Sequence, residues 1–202
     1  MNIYLIRHGE TDWNGKYLFQ GHSDTALNKT GRRQAGYIGK WMKSRKVGAI
    51  ISSDLKRAVE TARIIKKRAS IKAPVETVKG LRERDYGNLE GKRYSLYHSR
   101  KKGFTGEKDK RFFARVNRAF KETMKKHTGK NIAIVTHGGV VRQIVASAIG
   151  LKDYKKLRIY NASISELYYN PEGKSVFLLL LNSTCHLPAK ERNRIEYHIK
   201  GV

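Results

Sequence analysis

Residues 2–11, Asn-Ile-Tyr-Leu-Ile-Arg-His-Gly-Glu-Thr, decide how the rest of the chain is read. Ile3, Leu5 and Ile6 sit among β-forming neighbours and predict a short buried strand. The apolar run stops abruptly at Arg7, His8 and Gly9. In an open α/β sheet the backbone leaves the core at the carboxyl end of a strand, so side chains placed there face a crevice while the strand behind them stays rigid. Gly9 removes a Cβ that would crowd a ligand. Taken alone, the Arg-His pair reads more readily as a solvated strand end. Three later stretches favour the crevice: residues 52–62 (SSDLKRAVETA), 81–91 (LRERDYGNLEG) and 135–142 (VTHGGVVR).

Composition narrows the classes. A chain of 202 residues, 39% of them hydrophobic, suits one domain spanning residues 1–202. Cys185 is the single cysteine, so no intrachain disulfide can form, and a reducing cytoplasm is the expected compartment. No charged and apolar leader precedes the first strand, so no signal peptide is expected. The longest apolar run, residues 176–181, is far short of the ~20 residues of a membrane helix, and no membrane partner is expected. The 43 basic and 17 acidic residues leave a formal charge of +26, which points to a small anionic substrate or to polyanions. Weak, salt-sensitive, non-specific adsorption of nucleic acid is expected on that ground. The dense runs at residues 66–68, 100–102 and 125–126 also fit plain solvated helix faces.

Along the chain, residues 12–28 carry no helical stripe and predict a long loop over the crevice. Thr30 is the expected N-cap of a helix over residues 31–45, with Ala35, Ile38 and Met42 facing the core. A strand over 47–51 leads into Ser52-Ser53-Asp54, read as caps for a helix over 55–68 whose buried face is Leu55, Ala58, Val59, Ala62 and Ile65. Arg57 falls in the first turn of that helix, where acids are preferred, so a bound anion explains it better than folding does. A third strand over 74–78, a glycine-punctuated loop over 81–91, a short helix over 91–100 and a mobile lid over 101–110 follow. Residues 112–127 predict a helix. The strand over 132–136 runs straight into His137-Gly138-Gly139 and a further helix through 149. Strands over 163–169 and 175–182, joined by Asn-Pro-Glu-Gly, predict an antiparallel hairpin at one side of the sheet, and residues 191–200 a charged tail. These elements predict a three-layer α/β/α sandwich with a mostly parallel sheet.

The string LIRHGETDWN (residues 5–14), with the three stretches above following in order, resembles the signature of the histidine phosphatase superfamily, its phosphoglycerate mutase-like branch, over residues 3–187. The resemblance implies that fold, a phosphohistidine on His8, a phosphoryl clamp of Arg7 and Arg57 assisted by His137, and Glu83 as proton donor. It further implies substrate contacts from Asn14, the Gly138 backbone, Gln20 and Gly21 of a QGHSD segment, and Tyr86. The chemistry agrees: neutral imidazole is nucleophilic near pH 7, and a guanidinium fork matches two phosphate oxygens. No metal or cofactor is required by this scheme. His22, His98, His127, His186 and His198 read as surface or structural histidines, His22 and His186 least securely, and Glu10 and Glu90 as turn residues.

The expected activity is hydrolysis of a small phosphomonoester. QGHSD and the ending SISELYY…LNSTCHL resemble the phosphatases of the family, whereas ERDYGNLEG leans toward the mutases that interconvert 2- and 3-phosphoglycerate, with GKRY (residues 91–94) replacing their lysine-bearing G-L-N-K. A nucleic-acid-binding protein on the same fold is the third alternative, since it accounts for the charge directly. The variable stretch 92–118 is expected to cap the site and select the substrate. A homodimer is left open.

Overall fold

The computed structural model describes residues 1–96, 103–173 and 175–192. His98, His198, the 100–102 basic run, the second half of the expected 91–100 helix and most of the charged tail lie outside these residues. Six strands form one sheet: β1 (Asn2–Arg7), β2 (Ala49–Ser52), β3 (Val75–Thr77), β4 (Ile132–Thr136), β5 (Ile164–Asn170) and β6 (Ser175–Ser183). Their order is β3-β2-β4-β1-β5-β6. The first four run parallel; β5 is antiparallel to β1 and β6 to β5. The hairpin therefore forms one side of an otherwise parallel sheet, as its turn signal predicts.

Side-chain alternation along the strands builds two cores. Ile3 and Leu5 of β1, Ile51 of β2 and Ile134 of β4 face Phe112, Val116, Val140 and Ile144. The intervening Tyr4, Ile6, Ile50 and Val135 face Ile38, Met42, Ala62 and Ile65. One face is thus covered by α4 (Asp109–Lys126) and α5 (Gly138–Ala148), the other by α2 (Lys29–Met42) and α3 (Lys56–Ala69). This is the three-layer α/β/α arrangement, and truncating a buried residue such as Leu5 to alanine costs about 2–5 kcal/mol by the usual cavity penalty. Among the described residues no helix is long and apolar enough to cross a membrane.

Several local expectations need correction. The helix begins at Lys29 because Asn28, not Thr30, caps it: Asn28 Oδ1 accepts from Gly31 N at 2.8 Å, and the start lies two residues earlier than expected. The serines at 52–53 do not cap α3. Its N-cap is Leu55, with no side-chain cap bond, and Ser53 is occupied with His137. The loop after β1 contains a short helix, α1 (Asp12–Gly15), closed by a reciprocal Thr11–Asn14 capping box. The described part of the expected lid is pinned: Glu107 N donates to Asp85 O at 2.8 Å, Asn88 Nδ2 to Gly103 O at 3.0 Å, and Arg115 pairs with the Glu107 carboxylate.

Candidate active site

β1 and β4 are neighbours, with Arg7 paired to Thr136, and His8 N donates to Thr136 O at 2.9 Å. The residues that follow on each strand, His8 and His137, therefore emerge side by side, ring centroids 5.2 Å apart. β2 ends on the other side of β4, and Ser53 just beyond it lies 2.9 Å from His137 Nε2 through its hydroxyl. Three adjacent strand ends thus meet at one crevice.

The crevice is a cavity of about 390 Å³ lined by Arg7, His8, Arg57, Glu83, Tyr86 and Gly138 among others, together with Gln20 and Gly21 from the loop after α1. Of the residues singled out in the sequence, Asn14 does not line it: its side-chain oxygen accepts from Thr11 N and Asn161 Nδ2. His137 lies fully buried behind His8 rather than on the wall. Tyr94, Arg84, Arg142, Tyr154 and Lys155 also line it. Of these, the sequence leaves Arg84 undecided and assigns the other four no role.

His8 is 3% exposed, and its Nδ1 sits 2.7 Å from the carbonyl of Gly9. A carbonyl only accepts, so Nδ1 carries the proton and Nε2 keeps its lone pair. Burial, reinforced by the Arg57 and Arg7 charges, holds the His8 imidazole well below its ordinary 6.5. His137 is depressed in the same way, by burial first and then by Arg57, His8 and Arg7. Both rings therefore stay neutral at pH 7.

The two guanidinium groups approach along different routes. Arg7 Nη1 donates to Ile159 O at 2.7 Å, and its stem passes Gly138 so closely that a Cβ there would lie 3.4 Å from Nε. Arg57, 0% exposed, donates from Nη1 to Ser23 O at 2.7 Å and from Nη2 to Gly21 O at 2.8 Å. Its unusual helix position thus has an internal partner as well as the cavity. Burial lowers its pKa to about 10, against the pull of the Glu83 and Asp24 carboxylates. Nε of Arg7, Nε of Arg57 and Nδ1 of His137 are buried with no hydrogen-bond partner among the described residues. Buried donors left without acceptors are costly, and an anion bound here would relieve them.

Glu83 is held by two backbone donors, Arg84 N at 2.9 Å on Oε1 and Gly139 N at 3.0 Å on Oε2. A Cβ at Gly139 would collide with that carboxylate, which explains the second glycine of His137-Gly138-Gly139. His22 donates from Nε2 to the Glu83 carbonyl at 2.9 Å. Glu90 accepts from His22 N, Ser23 N and Tyr86 N, stitching the 20–23 loop to the 83–90 loop. It fills the role expected of a turn residue. Burial raises the pKa of the Tyr86 and Tyr94 phenols, so both remain neutral walls of the cavity. Arg82 is turned away into a two-pronged bond with Asp54, while Arg84 reaches Glu107 O and Asp109. Among the described residues no group of three or more His, Cys, Asp or Glu side chains is arranged to hold a metal ion.

A neutral imidazole with a free Nε2, several cations and a carboxyl group around one small cavity define an enzyme of phosphoryl transfer built at the edge of a parallel sheet. The chain belongs to the histidine phosphatase superfamily (branch 1), whose family model matches residues 3–182. It is 32% identical to the broad-specificity phosphatase YOR283W of Saccharomyces cerevisiae, over 93% of this chain and 87% of that one. It is 36% identical to phosphoglycerate mutase-like protein 4 of Arabidopsis thaliana, over 72% of this chain and 70% of that one. Among solved structures, Bacillus stearothermophilus YhfR superposes with a TM-score of 0.83 at 26% identity, covering 92% of this chain and 98% of that chain. The activity at family level is hydrolysis of a small phosphomonoester through a phosphohistidine.

Proposed function

We propose that His8 Nε2 attacks the phosphorus of a small phosphomonoester while Arg7 and Arg57 hold the non-bridging oxygens. The observation that carries this assignment is the buried pair of imidazoles 5.2 Å apart with orphaned arginine donors beside them. The P–O bond to the alcohol breaks as the Nε2–P bond forms, and the Glu83 carboxyl group passes a proton to the leaving oxygen. Water then attacks the phosphohistidine and Glu83 recovers the proton, releasing orthophosphate. With Ser53 donating to His137 Nε2, the His137 Nδ1–H is left free to donate to the phosphoryl group. The Gly138 backbone, Gln20, Gly21 and Tyr86 shape the remainder of the pocket, and Asn14 acts through Thr11 and Asn161 in holding the loop after β1.

A cavity near 390 Å³ matches a small metabolite. Residues 1–202 act as one domain, and the exposed thiol of Cys185 suits a reducing cytoplasm. The test is a screen of sugar phosphates, phosphoglycerates and nucleotides, with radiolabelled phosphate trapped on the enzyme by rapid acid-free quenching. Wild type should carry a base-stable, acid-labile label that His8→Ala lacks. A label that survives in His8→Ala would overturn the assignment. A mutase reading, favoured by the 81–91 stretch, predicts that 3-phosphoglycerate with a trace of the bisphosphate yields 2-phosphoglycerate faster than orthophosphate.

A further inference from the structure

A second cavity lies apart from the catalytic one, in a groove of about 620 Å³ between α2 and α3. Five cations line it, Arg32, Arg33, Lys40, Lys43 and Arg68, together with Tyr37, Gly36 and Ile64, and no carboxylate is among its walls. None of these residues lines the catalytic cavity. Arg32 is paired with Glu60 and Arg33 with Glu191, but among the described residues Lys40, Lys43 and Arg68 have no ion pair. All three are exposed. Two glycines of α2 make the groove: Gly39 lets the helices approach until a Cβ there would lie 2.5 Å from Arg68 Cβ, whereas a Cβ on Gly36 would meet nothing. Helix interiors favour alanine over glycine by about 1 kcal/mol, so the open floor at Gly36 is not a choice made for helix stability.

We propose that this groove binds the phosphate backbone of single-stranded nucleic acid without sequence preference. From Arg32 to Lys43 the helix rises about 16 Å at 1.5 Å per residue. A strand stacked as in a duplex advances about 3.4 Å per phosphate and an extended one about twice that, so that length faces about two to five phosphates. A compact phosphomonoester would engage only one end of it. Tyr37, half-buried in the wall, offers a ring face on which an unpaired base can stack. A flat bilayer fits a convex cationic face with apolar anchors better than a recess whose one aliphatic lining residue, Ile64, is half-buried. A folded acidic protein would need an apolar interface centre, which the groove does not present.

The experiment is fluorescence anisotropy of a labelled oligouridylate of about 20 nucleotides, titrated with the full chain from low salt to about 0.15 M. The variants are the triple charge reversal K40E/K43E/R68E and, separately, Gly36→Glu, which sets a carboxylate in the floor without touching the walls. Both should weaken binding by about tenfold or more, and the triple variant should lower the slope of log K against log salt by about 2, at about 0.7 per lost single-strand contact. Hydrolysis of p-nitrophenyl phosphate should be unchanged in both, which reports that the variants are folded and keeps this result separate from the catalytic assignment. The control K110E/K121E/K125E makes the same charge change on exposed positions of α4. An equal loss in the control would mean that net charge alone governs binding, and would overturn the proposal. So would tight binding of phosphatidylserine vesicles with none of the oligonucleotide.

Discussion

Replacing Arg57 by glutamine tests the electrostatics of the cavity most directly. A guanidinium whose pKa burial lowers to about 10 carries about 3 kcal/mol of unfavourable charge in the free protein, at about 1.4 kcal/mol per tenfold change in the proton equilibrium. Against this, its two bonds to the Gly21 and Ser23 carbonyls contribute about 1.5–3 kcal/mol each as bonds to a charged group. The free variant should therefore lose only about 0–3 kcal/mol, and at about 2–4 °C per kcal/mol its Tm should drop by no more than about 12 °C. The transition state suffers far more. Removing one preorganised donor from a developing anion costs about 10²–10³ in rate, so kcat/KM for p-nitrophenyl phosphate should fall by that factor. Orthophosphate should raise Tm by mass action in wild type, and this rise should shrink sharply in Arg57→Gln. The measurements are steady-state kinetics and calorimetry with and without phosphate. Should the variant keep more than a tenth of wild-type kcat/KM, or keep the full phosphate-induced Tm rise, Arg57 does not clamp the anion.

Three further outcomes follow from the same geometry. Imidazole nitrogen NMR should find His8 and His137 neutral at pH 6, with His8 titrating higher once Arg57→Gln removes the neighbouring cation; a wild-type midpoint at or above 6.5 would contradict the burial argument. His186 donates from Nε2 to Ala162 O at 3.0 Å while its buried Nδ1 has no partner among the described residues, and burial lowers its pKa to about 4. Below pH 6.5 the unfolded chain therefore binds a proton that the folded chain refuses, and stability falls as pH drops from 6.5 toward 4, by up to about 3 kcal/mol from this residue; urea titrations of His186→Asn should show that part of the slope gone. Gly9→Ala should destabilise by about 1–3 kcal/mol, as overpacking does, because its Cβ would sit 2.5 Å from Gly31 O; an unchanged urea midpoint would show that the β1–α2 contact yields easily.

The elements whose period and termini agree were legible from residues alone. The strand Ile132–Thr136 is apolar up to Val135, buried throughout and lies inside the sheet, so the run and the strand coincide. Arg57 betrayed itself by sitting where a helix start wants an acid, whereas Glu83 was reached only through the family resemblance of residues 81–91. Caps were harder: Asn28 and Thr30 are both good cap residues, and only the bond to Gly31 N distinguishes them. Tyr94, Tyr154 and Lys155 reach the cavity by tertiary packing from stretches with no local pattern. Arg142 is different, since it stands one helical turn after Gly138 and so shares its face. That spacing is visible in VTHGGVVR and was the available signal.

The pairing of Arg7 with Thr136 has one more consequence. Because each histidine is simply the next residue along its own strand, the gap between the two rings is set by the interstrand spacing, about 4.8 Å in any sheet. Surface segments between β1 and β4 can lengthen, shorten or change partners without altering that gap. A one-residue slip between the two strands would be another matter, since it would swap inward and outward side chains along the whole ladder and separate the rings in the same stroke. The spacing of the two imidazoles is in this way written into the strand register, apart from the segments that line the rest of the cavity.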